Sequence, residues 1–239
     1  MKVKAVLFDL FDTLLLLEKD EAYYDPSLRR LHEFLVQNGI SVSFEDSKQV
    51  YFDVRDRLYA EGEKSLEEPH FNVRVSLTLK RLGYDFEDSH AVVVGATMAF
   101  AEEFMRYVRL DGDAIDVLRK LRGKYKLGIV CNFAIPECVW KLLEEFGLKE
   151  FFDVVVISGE VNRRKPSSEI FEKALKALGV DASRAVFVGD TPGLDVKGAK
   201  NAGIRAVLIE RRPIERTVDV EPDKVIQSLR ELLVALGDC

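Results

Sequence analysis

Five short apolar runs rich in β-formers, four of them spaced by amphipathic helical patterns, constrain the fold of this chain more than any other feature. They read VKAVLFDL at 3–10, YKLGIVC at 125–131, FDVVVI at 152–157, RAVFV at 184–188 and RAVLI at 205–209. Runs without polar alternation suit strands covered on both faces. Residues 114–122 set Ile115, Leu118 and Leu121 at helical spacing, and 137–146, 168–178 and 194–201 repeat the pattern. Strand and helix in alternation predict an α/β fold, a Rossmann-like doubly wound parallel sheet. A last helix over 223–236 is expected on its flank.

The stretch from 15 to 110 breaks that rhythm, with helical patterns at 27–37, 44–60, 72–82 and 89–108 and few strand signals. It predicts an inserted α-helical domain, residues 15–110, within a core made of 1–14 and 111–239, with Asp111-Gly112 marking the return. At 239 residues and 47% hydrophobic, the chain has enough material for both. A net charge of -6 argues against a nucleic-acid groove or an anionic membrane surface, and Arg211-Arg212 reads as a solvated loop. No apolar run approaches the ~20 residues of a membrane span. Asp9 and Asp12 interrupt the apolar opening, which lacks a cleavage site of small residues. Cys131, Cys138 and Cys239 have the spacing of neither a disulfide framework nor a zinc site. A cytoplasmic chain is expected.

In an open α/β sheet, ligands bind beyond the carboxyl ends of the strands. The polar residues there are Asp9 and Asp12 after the first run, Cys131-Asn132 after the second, Ser158 and then Lys165-Pro166 after the third, and Gly189-Asp190 to Asp195 after the fourth. Each alone suits a turn, a helix cap or a surface charge. Together, three carboxylates (Asp9, Asp190, Asp195), an amide and a lysine are expected to converge on one edge.

These segments resemble the motifs of the haloacid dehalogenase-like hydrolase superfamily. FDLFDTL is similar to the first motif, VCNF to the second, RKPSSEIF to the third and VGDTPGLDV to the fourth. The resemblance covers essentially the whole chain, and the helical insertion resembles the mobile cap of one branch. It implies a Mg²⁺-dependent phosphohydrolase for a small phosphorylated metabolite, with Asp9 as the nucleophile and an aspartyl-phosphate intermediate. It further implies that Asp9, Asp190 and the backbone carbonyl of Phe11 hold the metal, with Asp195 behind them. Oxygen-only ligation of this kind favours Mg²⁺. Lys165 would screen Asp9 from the substrate, and positions 131 and 132, here Cys131 and Asn132, would bind the oxygens of the transferring group.

Two positions depart from the family pattern. Phe11 stands where phosphatases of the family usually carry a second aspartate as acid and base, a loss typically costing about 10²–10⁴-fold. Asp12 could take that role only if the chain turns sharply, because in an extended segment it points away from Asp9. Cys131 replaces a hydroxyl residue, and a thiol is a weak donor. An aromatic residue at position 11 also resembles the family's dehalogenases, in which Asp9 would displace halide without metal. A non-catalytic ligand-binding member is a further alternative. Within the insertion, Tyr23, Tyr24, Arg55, His70 and Arg74 are candidates for substrate contact, while Phe100 and Phe104 fall at core spacing.

Overall fold

The structure, a computed structural model, describes residues 2–18, 22–211 and 220–237; Arg212 and Cys239 lie outside them. In chain order, β1 (Ala5–Phe8) and β2 (Leu15–Leu17) precede four helices, α1 (Tyr24–Gln37), α2 (Phe44–Ser65), α3 (Phe71–Arg81) and α4 (Ala91–Met105). Next come β3 (Val108–Leu110), α5 (Ala114–Leu121), β4 (Lys126–Cys131), α6 (Pro136–Glu145), β5 (Val154–Ile157), α7 (Ser158–Val161) and α8 (Ser168–Leu178). The chain closes with β6 (Ala185–Gly189), a π-helical turn at Pro192–Val196, α9 (Lys197–Asn201), β7 (Arg205–Ile209), β8 (Lys224–Ile226) and α10 (Leu229–Gly237).

Six strands form one sheet in the order β5-β4-β1-β6-β7-β8, and every pairing is parallel. Successive β1 residues face opposite ways, as the pleat requires. Val6 and Phe8 join one core cluster with Leu127, Ile129 and Val188, packed on by α5, α6 and α10. Ala5 and Leu7 join a second cluster with Phe187, Leu208 and residues of α8 and α9. All four β1 residues are fully buried, which explains the continuous apolar run. After β5 the chain crosses to the far side of β1, so β1 lies at the reversal of strand order where such sheets bind ligands.

In the insertion, α1 packs on α4 and α2 on α3. Ser43 starts α2, its Oγ accepting the Asp46 N–H at 3.1 Å. Leu28, Leu35, Val75, Phe100 and Phe104 continue the first core cluster into the insertion. Among the described residues, no helix is long and apolar enough to cross a membrane.

Three short elements differ from the sequence expectation. β2 and β3 pair antiparallel, Leu15 opposite Leu110 and Leu17 opposite Val108, and so tie together both ends of the insertion. Residues 106–108, expected as helix, therefore leave α4 after Met105. The expected helix over 223–236 begins as β8 and becomes helical only at Leu229. Strands of three residues are too short to show a period of two, so pattern alone misses them. Arg211, expected in a solvated loop, instead donates to Thr13 O at 3.0 Å and to Asp111 Oδ2 at 2.7 Å, pinning the return point of the chain.

Candidate active site

β1 delivers Asp9 to the carboxyl edge of the sheet, where its backbone N–H extends the ladder by donating to Val188 O at 2.8 Å. Its side chain is buried. The chain then turns sharply. Asp12 has φ 54, in the left-handed region that Asp and Asn tolerate best among residues with a Cβ. The extended path assumed from sequence is therefore a turn, and Asp12 Oδ1 accepts the Leu17 N–H at 3.2 Å. The Phe11 ring leaves this turn for an aromatic cluster, with its centroid 4.8 Å from Phe133 and 5.7 Å from Phe104.

Lys165 reaches the same point from the loop before α8. It is 2% exposed, and its Nζ donates to Asp9 Oδ1 at 2.5 Å and to Asp195 Oδ1 at 2.7 Å. Asn132, just past β4, fixes the Lys165 backbone from both sides. Its Oδ1 accepts the Lys165 N–H at 2.8 Å and its Nδ2 donates to Lys165 O at 3.1 Å. The amide expected to bind substrate oxygens is thus engaged in holding the lysine. Cys131, at the end of β4, is fully buried, and burial holds its thiol well above the usual range and so protonated.

β6 and the π-helical turn supply the remaining acids. Asp195 Oδ2 accepts the Thr191 N–H at 2.9 Å while its other oxygen holds Lys165. Gly189 permits this approach, since a Cβ there would lie 2.4 Å from Asp195 Cγ. Gly189→Ala is expected to cost about 1–3 kcal/mol of stability through overpacking. Urea unfolding reads this as a lower midpoint, and an unchanged midpoint would mean that Asp195 yields freely.

One carboxylate oxygen from each of Asp9, Asp190 and Asp195 lies within 4.8 Å of the others. Burial, outweighing the pull of Lys165 and reinforced by Asp195, pushes Asp9 up to about 7. Burial and the charges of Asp9, Asp195 and Asp12 push Asp190 up to about 8. Lys165 is itself raised, because its two acid partners outweigh the burial that would lower it, and stays charged. The Asp12 charge acts on Asp190, which sets this residue on the acidic side of the site.

A cavity of about 270 Å³ opens between this edge and the insertion. Phe11, Asn132 and Phe133 line it from the core, and Tyr23, Tyr24 and Arg74 from the helices. The other two insertion candidates are engaged elsewhere. Arg55 pairs with Asp56 at 2.6 Å. His70 caps α3 through Nδ1 and meets Glu137 at 3.0 Å through Nε2. Phe100 and Phe104, expected in the core of the insertion, are buried and also form cavity wall. Glu68 and Arg164 line the cavity as well, and the sequence pattern did not single them out. Glu68 accepts from Ser158 Oγ and lies 4.0 Å from Arg164. The only sequence signal was the position of Arg164 beside Lys165.

The chain is similar to known hydrolases. The chain is 32% identical to a glyceraldehyde 3-phosphate phosphatase of Methanopyrus kandleri, over 97% of this chain and 96% of that one. A HAD phosphatase structure from Thermococcus onnurineus matches with a TM-score of 0.63 at 28% identity, covering 98% of both chains. A 2-haloacid dehalogenase structure from Pseudomonas syringae pv. Tomato shares the fold, with a TM-score of 0.77 at 24% identity and 99% of both chains covered. The haloacid dehalogenase-like hydrolase model matches residues 3–203. This chain belongs to that hydrolase family.

Proposed function

We propose that the chain is a magnesium-dependent phosphohydrolase, transferring the phosphoryl group of a small phosphorylated metabolite to Asp9 and then to water. The observation that carries this reading is the imbalance of charge at the sheet edge. Three carboxylates converge there, and Lys165 bonds two of them. Such a cluster fits a hard dication held through oxygen. Asp9, Asp190 and the Phe11 carbonyl would hold Mg²⁺, which when bound offsets negative charge on the acids and the phosphoryl oxygens.

The chain's own residues account for the rest. Lys165 favours ionised Asp9 and fixes its orientation, leaving Oδ2 as the attacking atom. Asp195 and Asn132 hold Lys165 in place. Attack on phosphorus expels the alcohol and leaves an aspartyl-phosphate, whose hydrolysis returns the carboxylate. Phe11 cannot carry a proton, so Asp12, turned by its positive φ, is the chain's candidate for acid–base transfer. Residues 15–110 would act as a cap domain over a core of 1–14 and 111–239, excluding water from the cavity they share. The name of the Methanopyrus kandleri relative, a glyceraldehyde 3-phosphate phosphatase, supports a phosphatase acting on a small phosphorylated metabolite.

Phosphate release from an aryl phosphate tests this reading: turnover should require Mg²⁺ and cease with EDTA. Phe11 beside the nucleophile favours a second reading, dehalogenation. Release of halide from a 2-haloacid in EDTA, without phosphate release in Mg²⁺, would establish it instead.

The acids also predict a pH-dependent effect of metal. Their folded-state pKa values are raised from 3.8 to about 7 and about 8, so the metal-free folded state binds more protons than the unfolded chain between those values. Stability should therefore fall as pH rises through this window. Mg²⁺ binds the ionised form, so the gain in Tm on adding it should be larger at about pH 8 than at about pH 5. Differential scanning calorimetry checks this, and an equal gain at both pH values would place the cation elsewhere.

A further inference from the structure

We infer that Arg74 reads a second anionic group on the substrate, so that the enzyme selects phosphomonoesters whose organic part carries a carboxylate. The inference rests on the phosphohydrolase reading for the reaction, but not for the binding of the anion.

Arg74 stands on α3 and is 7% exposed. A guanidinium keeps its charge, and burying a charge without a counter-ion is costly. Among the described residues, no carboxylate forms an ion pair with it. Glu68, the acid on the same cavity wall, is engaged by Ser158 and Arg164. What surrounds Arg74 is aromatic. Its guanidinium carbon lies 5.0 Å from the ring centres of Phe71 and Tyr59 and 5.7 Å from that of Tyr51, and one Nη donates to Tyr51 Oη at 3.0 Å. Its Nε is buried with no hydrogen-bond partner. Rings and a phenol orient a cation and attract it, but do not neutralise it.

By contrast, Arg55 stacks on similar rings yet has Asp56 beside it. Arg74 is thus a fixed, uncompensated positive charge lining the cavity that Phe11 and Asn132 line from the nucleophile's side. A cavity of about 270 Å³ suits a small molecule. One Nη is taken by Tyr51, and the unused donors of a guanidinium match a planar carboxylate. The apolar walls, Phe100, Phe104 and Phe133 among them, fit a ring or short hydrocarbon between the two anions.

The test compares kcat/KM for carboxyphenyl phosphates (3- and 4-isomers) with that for the matching carbamoylphenyl phosphates, in Mg²⁺. The amide has the same shape and makes the phenol a slightly better leaving group, so a carboxylate preference cannot come from leaving-group chemistry. Wild type should prefer a carboxylate by about 10–100-fold, mostly in KM. Arg74→Gln should bring the ratio to about one, and Arg74→Lys, a point charge without the fork, should retain part of it. Comparable kcat/KM for acid and amide in wild type would overturn the inference while leaving the phosphohydrolase reading intact. So would a preference unchanged in both variants. Should no ester turn over, that reading falls, and calorimetric binding of 4-hydroxybenzoate still decides the role of Arg74. Weaker binding in Arg74→Gln, partly restored in Arg74→Lys, supports it, and equal affinity in all three proteins refutes it.

Discussion

Asp9→Asn is expected to abolish turnover, by on the order of 10⁴-fold or more, and at the same time to raise Tm in metal-free buffer at about pH 8. The loss follows because an amide oxygen cannot replace the attacking carboxylate. The gain follows from the environment of Asp9. Burial and Asp195 outweigh the attraction of Lys165, so the ionised carboxyl is the less favourable form in the fold. An amide of the same shape mimics the neutral form and still accepts from Lys165. The size depends on pH. The difference in Tm should shrink as pH falls through the folded value of Asp9 and largely disappear only below about pH 4, where the unfolded chain holds it protonated too. With saturating Mg²⁺ the order should reverse, because the wild type gains a ligand that the variant holds less well. Calorimetry at two pH values, with and without metal, reads all of this. A variant less stable than wild type in metal-free buffer at pH 8 would show that the lysine, not burial, dominates at Asp9. The expected gain in Tm fits a site built for reaction at the expense of stability.

Lys165→Met should produce the largest loss of stability of any single change at the site, about 3–5 kcal/mol. The ammonium lies between Asp9 and Asp195, and its removal leaves those buried acids without their shared cation. Lys165 has a raised pKa, so its contribution is fully present below the ordinary lysine value and is lost only as pH rises through the folded value. The whole effect should therefore be visible near neutral pH. It should shrink on acidification, as Asp9 and Asp190 take up protons and need the cation less. The double variant Asp9→Asn with Lys165→Met should be more stable than the sum of the single effects predicts, by about 0.5–3 kcal/mol. Strict additivity would mean that the 2.5 Å contact carries no net coupling. Turnover should be lost in Lys165→Met, since nothing then holds Asp9 for attack, and in the double variant, which lacks the nucleophile.

Much of this protein was legible in one dimension. Apolar runs of β-formers marked five of the six sheet strands, because burial on both faces leaves a local signature. The carboxyl ends of those strands named Asp9, Asn132, Asp190 and, one loop further on, Lys165, because the ladder of a parallel sheet sets its strand ends along one edge. The family followed from the order of these motifs. The turn at Asp12 was not legible: a positive φ at an aspartate depends on the hydrogen bonds that Leu10 and Leu17 make around it. Nor was the engagement of Asn132, whose partner lies 33 residues away.

The same division separates Arg55 from Arg74. In sequence both are arginines on amphipathic helices of the insertion, with nothing to rank one above the other. Arg55 finds its counter-charge in the next residue, whereas Arg74 is enclosed by rings drawn from α2 and α3 and finds none among the described residues. The sequence by itself determined the fold class, the family and the acids at the strand ends, because each leaves a short-range pattern of apolar and polar residues. Only the tertiary structure decided which charges are paired, which way the turn after Asp9 runs and what faces the cavity. Compensation of a buried charge depends on distances between segments that no local period encodes.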